Sequence, residues 1–412
     1  MIDLSNAIEE SINAGNFKKN GTDYLELRIL GNPDTKVHTL FTPVPSVSNE
    51  LMAGHYQKLF EARPLVQWAD MTRYPGECCV SVDSPDEAEI KLAISQLSNG
   101  KAPGSNGVIA EVLKWGGQPL ADKLKLDFEL IWNGVHEFPP AWRSAKVVTL
   151  FKGKGTRSDP NNYRGIFLLE VTGKVFARII VNRILPVMEE RLDPWQFCLK
   201  PKRGTLQAIS ILRRIQEEGR YRNQKVYVIF IDLEKAFDSV PREVLWACLK
   251  RFGLTDKILC LIKEFHENFI ATVGNSNFPM ERGVRQGCVM GPSLFNLVFD
   301  EVIKMAILKG FGGGVTLIDE QGTEFQVNRL AYADDLCIID SDIDRACKNL
   351  DILRSTFLEF GLTISATKTK VMFLTDESGS EISQVKCIEK IIEWVNKICY
   401  LGSILTTSGS CN

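Results

Sequence analysis

The chain has 412 residues, of which 44% are hydrophobic and 24% are charged, and its formal net charge at pH 7 is −2. These values are ordinary for a soluble globular protein of two or three structural units, and the net charge does not by itself indicate a nucleic-acid binder. The longest strongly apolar run, at 226–231, is too short to span a bilayer, and the N-terminus lacks the apolar segment of a secretory signal. We therefore expect a protein that stays inside the cell and has no membrane partner.

The eleven cysteines and four histidines do not form a recognisable site. The cysteines are scattered without the spacing of zinc ligands, which argues against both a zinc knuckle and a disulfide scaffold. The histidines are isolated from one another, so we expect each to be a surface or packed residue.

In chain order, residues 1–75 are mixed in character, with a Pro/Ser/Asn-rich linker near 43–49. An orderly pattern begins at Ser84, which predicts the start of a helix that ends at Gly100. Apolar periodicity predicts further helices at 109–133, 171–190, 205–218, 241–252, 293–309 and 343–359. Strands are predicted at 145–151, 225–232, 327–332, 336–340 and 370–374. The expected fold class is α+β with antiparallel hairpins.

Two adjacent carboxylates, Asp334 and Asp335, lie in the segment RLAYADDLCIID between two short apolar runs. A β-hairpin turn is one explanation, because Asp is a favoured turn residue. A cation site is the other, because the hairpin projects both carboxylates at one point and oxygen ligands suit Mg²⁺.

A third carboxylate, Asp232, follows the apolar strand Val226–Ile231. Packing explains a carboxylate at the end of a buried strand poorly, whereas Asp238 and Ser239 are explained as caps of a helix with Pro241 in its first turn. One acid at a strand end and an acidic pair in a later hairpin suit phosphoryl transfer assisted by two metal ions. Basic residues between Lys200 and Lys225 indicate either a phosphate-binding patch or a solvated helix face.

Six segments appear in the order found in reverse transcriptases, and they resemble most closely those of non-LTR (LINE-type) retrotransposons. They are NNYRGIFLLEVTGKVFARIIVNRI, IDLEKAFDSVP, GVRQGCVMGPSLFNLVFD, YADD, GLTISATKTKVMFL and YLGSILT. The resemblance covers roughly residues 84–406. It implies an RNA-directed DNA polymerase with a right-hand fold of fingers and palm, in which helices back an antiparallel palm sheet.

The resemblance also assigns roles to residues. Asp232, Asp334 and Asp335 match the palm carboxylates that bind two Mg²⁺ ions, for which Mn²⁺ can substitute, and Lys368 matches a lysine that protonates pyrophosphate. Phe237 matches the steric gate against a 2′-hydroxyl, although an ordinary core aromatic explains the residues better without the resemblance. The residues that match those around the incoming deoxynucleotide are Lys152, Lys154, Arg164, Gln286 and Gly287. Without the resemblance, Lys152 and Lys154 could equally be solvent-exposed residues of a turn. For nucleic acid, the implied contacts are Lys200, Lys202 and Arg203, together with Tyr400, Leu401 and Gly402 of a primer-grip hairpin.

The sequence departs from the family pattern at Cys198 and Leu199, where Gly-Phe is usual, and at Ser365, where Asn is usual. The chain stops soon after the primer grip, so we expect a missing or truncated thumb. The expected division is an N-terminal leader or linker at 1–75, fingers and palm at 76–375, and the primer grip with the start of a thumb at 376–412.

The implied partners are an RNA template, a DNA primer and deoxynucleoside triphosphates, with an endonuclease in trans as a further option. The implied location is a nuclear or cytoplasmic ribonucleoprotein. Two alternatives remain open: an inactive pseudogene fragment whose activity was lost through truncation, and a non-catalytic RNA-binding scaffold of the same fold.

Overall fold

The computed structural model describes residues 47–62, 80–285, 287–318, 321–375, 385–387 and 390–409. Their contacts divide them into two interleaved units. The first unit holds the described residues of 47–62, 80–184 and 254–291, and the second holds those of 185–253 and 292–409. The boundaries expected at 75/76 and 375/376 fall within or beside segments outside the described residues, so that division remains a prediction.

The helices and strands are numbered along the chain. The helices are α1 (Asn49–Phe60), α2 (Glu87–Ser95), α3 (Ala110–Trp115), α4 (Gly117–Trp132), α5 (Val171–Arg191), α6 (Thr205–Tyr221), α7 (Ala236–Ser239), α8 (Arg242–Phe252), α9 (Asp256–His266), α10 (Gly291–Leu308) and α11 (Ile343–Glu359). The strands of the first unit are β1 (Ser144–Phe151), β2 (Tyr163–Leu168), β4 (Ile270–Val273) and β5 (Ser276–Pro279). Those of the second unit are β3 (Tyr227–Ile231), β6 (Val315–Ile318), β7 (Glu324–Val327), β8 (Arg329–Tyr332), β9 (Asp335–Asp340), β10 (Lys370–Phe373), β11 (Val385–Cys387), β12 (Lys390–Trp394), β13 (Lys397–Tyr400) and β14 (Ser403–Thr406).

The first unit contains a four-stranded sheet in the order β2-β1-β4-β5. Strand β1 is antiparallel to β2 and parallel to β4. Aromatic side chains from α4, α5, α9 and the segment before β1 pack edge-to-face or stacked in its core: Phe128, Trp132, Phe138, Trp142, Phe176 and Phe265. Such rings bury large apolar areas, so this cluster contributes strongly to the stability of the unit.

The second unit contains a six-stranded sheet in the order β11-β12-β10-β3-β9-β8. All five residues of β3 are buried. Val228 and Phe230 share a core cluster with Leu212 and Ile215 of α6, and α11 contacts both β3 and β9. Burial on both sides explains why β3 reads as an unbroken apolar run in the sequence.

Strand β3 and the hairpin β8–β9 lie side by side, because β9 pairs with both β3 and β8. The expected antiparallel sheet is correct for β8, β9, β3 and β10. It is wrong for β12, which joins β10 in parallel, so the sheet is mixed. The coarse expectation of a mixed helix and sheet fold is confirmed.

Most predicted helices are confirmed to within a few residues, with two exceptions. The helix expected over 109–133 is two helices, because the chain breaks at Gly116 and Gly117, and Gly117 has a positive φ of 65°. The helix expected from Ser84 to Gly100 begins after Asp86 and ends at Ser95. A reciprocal capping box between Asp86 and Glu89 fixes that start.

The described cysteines and histidines do not form a metal centre. Six cysteines are free, whereas Cys347 of α11 is disulfide-bonded. His136 is exposed, and buried His266 places Nδ1 2.8 Å from the Ile262 carbonyl oxygen, as expected for surface and packed histidines. Within the described part of the chain, no helix has the length and apolarity needed to cross a bilayer.

Candidate active site

Strand register brings the three carboxylates predicted from the sequence to one end of the six-stranded sheet. Ile231, the last residue of β3, pairs with Leu336 of β9. Continuing this antiparallel register by one residue places Asp232 opposite Asp335, at a Cα separation of about 5 Å. Asp334 immediately precedes Asp335 in the turn of the β8–β9 hairpin.

The β8–β9 turn contains only two residues, Ala333 and Asp334, because Tyr332 pairs with Asp335. Ala333 has a positive φ of 54°, a conformation that is costly for a residue with a Cβ atom. The Ala333 amide donates a hydrogen bond of 3.1 Å to Oε1 of Gln196. The turn therefore combines local backbone strain with an external hydrogen bond that supports it.

Two of the three carboxylates, Asp334 and Asp335, have raised pKa values. Burial is the main cause of the raised pKa of Asp334, and the negative charge of Asp232 adds to it, whereas Lys368 opposes it. The pKa of Asp335 is raised to about 6 by partial burial and by the charges of Asp334 and Asp232. Like charges gathered in this way are stabilised by a bound cation.

Lys368 is positioned by a short turn that follows Ser365. The amide of Ser365 donates to the Asp232 carbonyl oxygen at 2.8 Å, and the amides of Lys368 and Thr369 donate back to the Ser365 carbonyl oxygen. These bonds place the Lys368 ammonium 3.0 Å from Oδ1 of Asp232. Both side chains keep solvent access, so the pair can open without burying an unpaired charge.

The chemistry of the site fits divalent cations. Among the described residues, no three carboxylate, thiol or imidazole groups form a ready-made metal cage. Mg²⁺ is usually held by one or two carboxylates together with substrate phosphates and water, and such a site is not a closed protein cage. Asp232, Asp334 and Asp335 offer carboxylate oxygens of this kind at one end of the sheet.

Phe237 lies in the short helix α7, five residues after Asp232. Its half-buried ring stacks on Phe295 of α10, with ring centroids 4.4 Å apart. Lys235, at the start of this turn, has a positive φ of 48°. The ring is therefore held by packing on one side while part of it remains accessible, and its role as a steric gate stays a prediction.

The interpretation of Asp238 as a helix cap is wrong. Asp238 lies inside α7 and is buried, while α8 begins after Pro241 without a side-chain cap hydrogen bond. The expected end of α8 is confirmed, because Gly253 adopts a left-handed φ of 100° there.

The expected nucleotide-binding residues outside this sheet belong to the first unit. Lys152, Lys154 and Arg164 are exposed on the end of β1, the following loop and β2. Gly287 has a φ of 88°, and a Cβ atom there would lie 2.8 Å from the Phe167 carbonyl oxygen, so only glycine fits. Gln286 lies outside the described residues.

The three basic residues expected to contact nucleic acid differ in their surroundings. Lys200 is half-buried, and its ammonium donates to the carbonyl oxygens of Leu192 and Asp193. Arg203 donates to the Pro194 carbonyl oxygen and lies over the Phe197 ring. Lys202 is exposed and has a positive φ of 59°. The accessible cations of this segment are therefore Lys202 and Arg203, whereas Lys200 supports the chain near Asp193.

The hairpin β13–β14 turns through Leu401 and Gly402, both with positive φ as a type I′ turn requires. Tyr400 is buried and packs on Phe230 of β3, with ring centroids 5.1 Å apart. Its side chain therefore supports the sheet and is not available to a nucleic acid. Leu401 and Gly402 remain accessible in the turn.

Sequence reasoning did not identify the residues that hold the carboxylate hairpin. Gln196 accepts the hydrogen bond from Ala333, and Asp193 forms a buried ion pair with Arg329 of β8. Both precede α6 in an irregular segment, where a polar residue is expected at the surface. The adjacent Gln196 and Phe197 are visible in the sequence, but no local pattern connects them with the hairpin.

A family model described as "Reverse transcriptase (RNA-dependent DNA polymerase)" matches residues 152–405. The chain is also similar to curated proteins of mobile elements. It is 25% identical over 382 residues to the RNA-directed DNA polymerase from mobile element jockey of Drosophila funebris, which covers 87% of this chain and 40% of that protein.

Two further relatives agree with this result. Identity is 30% over 219 residues to the probable RNA-directed DNA polymerase from transposon BS of Drosophila melanogaster, covering 51% of this chain and 24% of that protein. Identity is 24% over 337 residues to the retrovirus-related Pol polyprotein from type-1 retrotransposable element R2 of Popillia japonica, covering 78% and 45%. The chain thus spans less than half the length of these relatives.

Proposed function

Because this chain belongs to the reverse transcriptase (RNA-dependent DNA polymerase) family and carries a reverse transcriptase domain related to those of non-LTR retrotransposons, we propose that it extends a DNA primer on an RNA template. The observation that supports the proposal is the pairing of Ile231 with Leu336 and of Tyr332 with Asp335, which brings Asp232, Asp334 and Asp335 to the same end of the central strands. The deoxynucleotide is added to the primer 3′-hydroxyl, and pyrophosphate leaves.

Polymerases of this family use divalent metal ions. We assign the binding of two Mg²⁺ ions, replaceable by Mn²⁺, to Asp232, Asp334 and Asp335, of which Asp232 and Asp334 would be the principal ligands. Metal ions held by these carboxylates would supply a lower pKa for the 3′-hydroxyl and positive charge for the triphosphate. The raised pKa values of Asp334 and Asp335 support this assignment, because they follow from burial first and then from the neighbouring negative charges, and a bound cation relieves both effects.

Lys368 acts as the general acid that protonates the departing pyrophosphate. Two observations support this role: the ammonium of Lys368 lies 3.0 Å from Asp232, and its side chain is largely exposed. An exposed lysine side chain can change its conformation to reach the phosphates. Phe237 closes the space beside the sugar's 2′ position, and its support is the ring held against Phe295.

For the incoming nucleotide we assign Lys152, Lys154 and Arg164, with Gln286 and Gly287 from the glycine-rich loop. The solvent exposure of Lys152, Lys154 and Arg164 supports their assignment, because binding of the phosphates requires accessible positive charge. Lys202, Arg203, Leu401 and Gly402 contact the nucleic acid, and Lys200 and Tyr400 act only through the structure they support. A right-hand arrangement of fingers and palm and a ribonucleoprotein location complete the proposal, and an endonuclease supplied in trans is compatible with it.

A primer-extension assay tests the function directly. We expect the purified chain to extend oligo(dT) on poly(rA) with dTTP and Mg²⁺, and we expect Asp334→Asn to abolish the product. Asp351→Asn is the matched control, because Asp351 is an exposed carboxylate on α11 away from the turn. Equal residual synthesis in both variants would contradict the carboxylate assignment. RNA binding without synthesis under Mg²⁺ or Mn²⁺ would favour a non-catalytic scaffold.

A further inference from the structure

The segment Asp193–Cys198 runs beside the outer strand of the carboxylate hairpin. Gln196 forms a parallel bridge with Ala331 of β8. The Ala331 amide donates to the Trp195 carbonyl oxygen at 2.9 Å, and the Phe197 amide donates to the Ala331 carbonyl oxygen at 2.8 Å. The segment therefore continues the hydrogen bonding of the sheet past β8.

The segment is anchored at its start by buried charges. The Asp193 amide donates to Oδ1 of Asp300 in α10 at 2.7 Å, and the Asp193 carboxylate pairs with Arg329 of β8. Asp193 Oδ1 also accepts the Trp195 amide at 2.8 Å. A carboxylate that is bound on several sides leaves its segment little freedom to move.

From this anchored segment, the Gln196 side chain reaches the strained turn. Oε1 of Gln196 accepts hydrogen bonds from the amides of Ala333 and Cys198, each at 3.1 Å. Gln196 is 2% exposed, so its side chain is held within the protein interior while the Ala333 end of the bond is partly buried. Its Nε2 makes no hydrogen bond to the described protein atoms, so the acceptor oxygen is the part that acts on the turn.

We propose that Gln196 is a positioning residue, whose side-chain oxygen holds the Ala333–Asp334 turn in the conformation that presents Asp334 for metal binding. The inference rests on the proposed function for its catalytic meaning. The turn requires such a stabilising contact, because Ala333 has a φ that L-residues rarely adopt. Without Gln196, the Ala333 amide would lack this hydrogen-bond acceptor.

Removal of this oxygen loosens the turn. In Gln196→Met, which keeps the length of the side chain, we expect about tenfold faster amide exchange over 330–337, as the loss of one ordinary hydrogen bond implies. We expect kcat for primer extension to fall by a similar factor, Mn²⁺ binding to weaken, and KM for dTTP to stay unchanged.

The matched control is Gln216→Met. Gln216 is also buried, and it donates to the carbonyl oxygens of Leu374 and Thr406 and does not contact the carboxylate turn. We expect it to leave exchange over 330–337 and Mn²⁺ binding unchanged. Similar effects in both variants would mean general destabilisation and would overturn the proposal.

A conservative variant of Gln196 and a second-site variant in the turn extend the test. Gln196→Glu keeps an acceptor oxygen, so its exchange over 330–337 should stay near that of wild type, and it serves if Gln196→Met does not fold. Ala333→Gly accepts positive φ without cost, so it should restore part of the Mn²⁺ affinity lost in Gln196→Met. Absence of rescue, or unchanged exchange in Gln196→Met, refutes the role. Hydrogen exchange is read without catalysis, so an inactive wild-type chain would defeat the proposed function and leave this test intact.

Discussion

The ammonium of Lys368 lies 3.0 Å from Oδ1 of Asp232, although the two residues are 136 positions apart in the chain. The lysine is thus the counter-ion of a carboxylate that we assign to metal binding. On this assignment, we expect a divalent cation at Asp232 to compete with the ammonium of Lys368 for the same carboxylate.

Replacement of Lys368 by methionine should separate metal affinity from catalysis. We expect Mg²⁺ to half-saturate the site at a concentration several-fold lower, because the competing ammonium is gone. We expect kcat to fall by roughly 10²-fold, the lower range for loss of a general acid. Mn²⁺ titration and single-turnover primer extension measure the two effects. Lys370→Met is the control, since Lys370 pairs with Glu393 at 2.5 Å and does not contact Asp232.

Replacement of Phe237 by valine should change sugar selection. The smaller side chain opens space beside the 2′ position, so we expect ribonucleotide incorporation to rise by roughly tenfold or more relative to deoxynucleotide incorporation. Competition assays with dTTP and UTP measure the ratio. Phe373→Val is the control, because Phe373 is also half-buried and stacks on an aromatic ring, that of Tyr227. Unchanged discrimination in Phe237→Val would show that Phe237 is only a packing residue.

Replacement of Asp334 and replacement of Asp238 should have opposite effects on the melting temperature and on DNA synthesis. The raised pKa of Asp334 means that its charge destabilises the fold near neutral pH, so Asp334→Asn should raise the melting temperature by roughly 1–3 °C while abolishing synthesis. Asp238 is buried, so Asp238→Ala should lower the melting temperature and leave synthesis per folded molecule nearly intact. Thermal denaturation and active-site titration test this pair. A stable but inactive Asp238→Ala protein would assign Asp238 to the chemistry instead.

Glu301 should give the stability a defined pH dependence. Burial raises the pKa of Glu301 from 4.5 to about 7, despite the nearby charge of Arg251. Because the pKa of Glu301 is higher in the folded state than in the unfolded state, its contribution to stability is fully present at pH values below the unfolded-state pKa. This contribution is lost as the pH rises from about 4.5 through about 7, and the loss lowers the free energy of unfolding by about 3 kcal/mol for the single group. Urea unfolding at pH 4.5, 6 and 7.5 should show this decline. Glu301→Gln should flatten it, and an identical slope in the variant would exclude Glu301 as its source.

The sequence was informative where a local pattern and the tertiary environment agree. An unbroken apolar run predicted β3 because both faces of that strand are buried, and two acids between short apolar runs predicted the β8–β9 turn. Helices with a continuous apolar stripe, such as α11, were predicted at the observed residues.

Other elements depend on contacts that no local pattern records. The helix Asp256–His266 and the short strands β4 and β5 were missed, and these strands have four residues each. The hydrogen bond from Ala333 to Gln196 joins residues 137 positions apart in the chain, so no local sequence pattern could predict that the two residues are in contact. Tyr400 was expected at a nucleic-acid surface because the motif is a hairpin, but its ring faces the core through Phe230.

The position of β3 in the middle of its sheet also governs how this protein is synthesised. Ile231 pairs with Leu336, and Val371 of β10 pairs with Ile229 on the opposite edge, so neither neighbour of β3 exists when β3 leaves the ribosome. At 5–20 residues per second, roughly a hundred residues of delay correspond to about 5–20 s during which six apolar residues have two unpaired edges. Such a segment is prone to aggregate, so yield should depend on chaperones and on rapid translation of the region that supplies β9 and β10. The strand that leads into Asp232 is thus also a strand exposed to misassembly during synthesis.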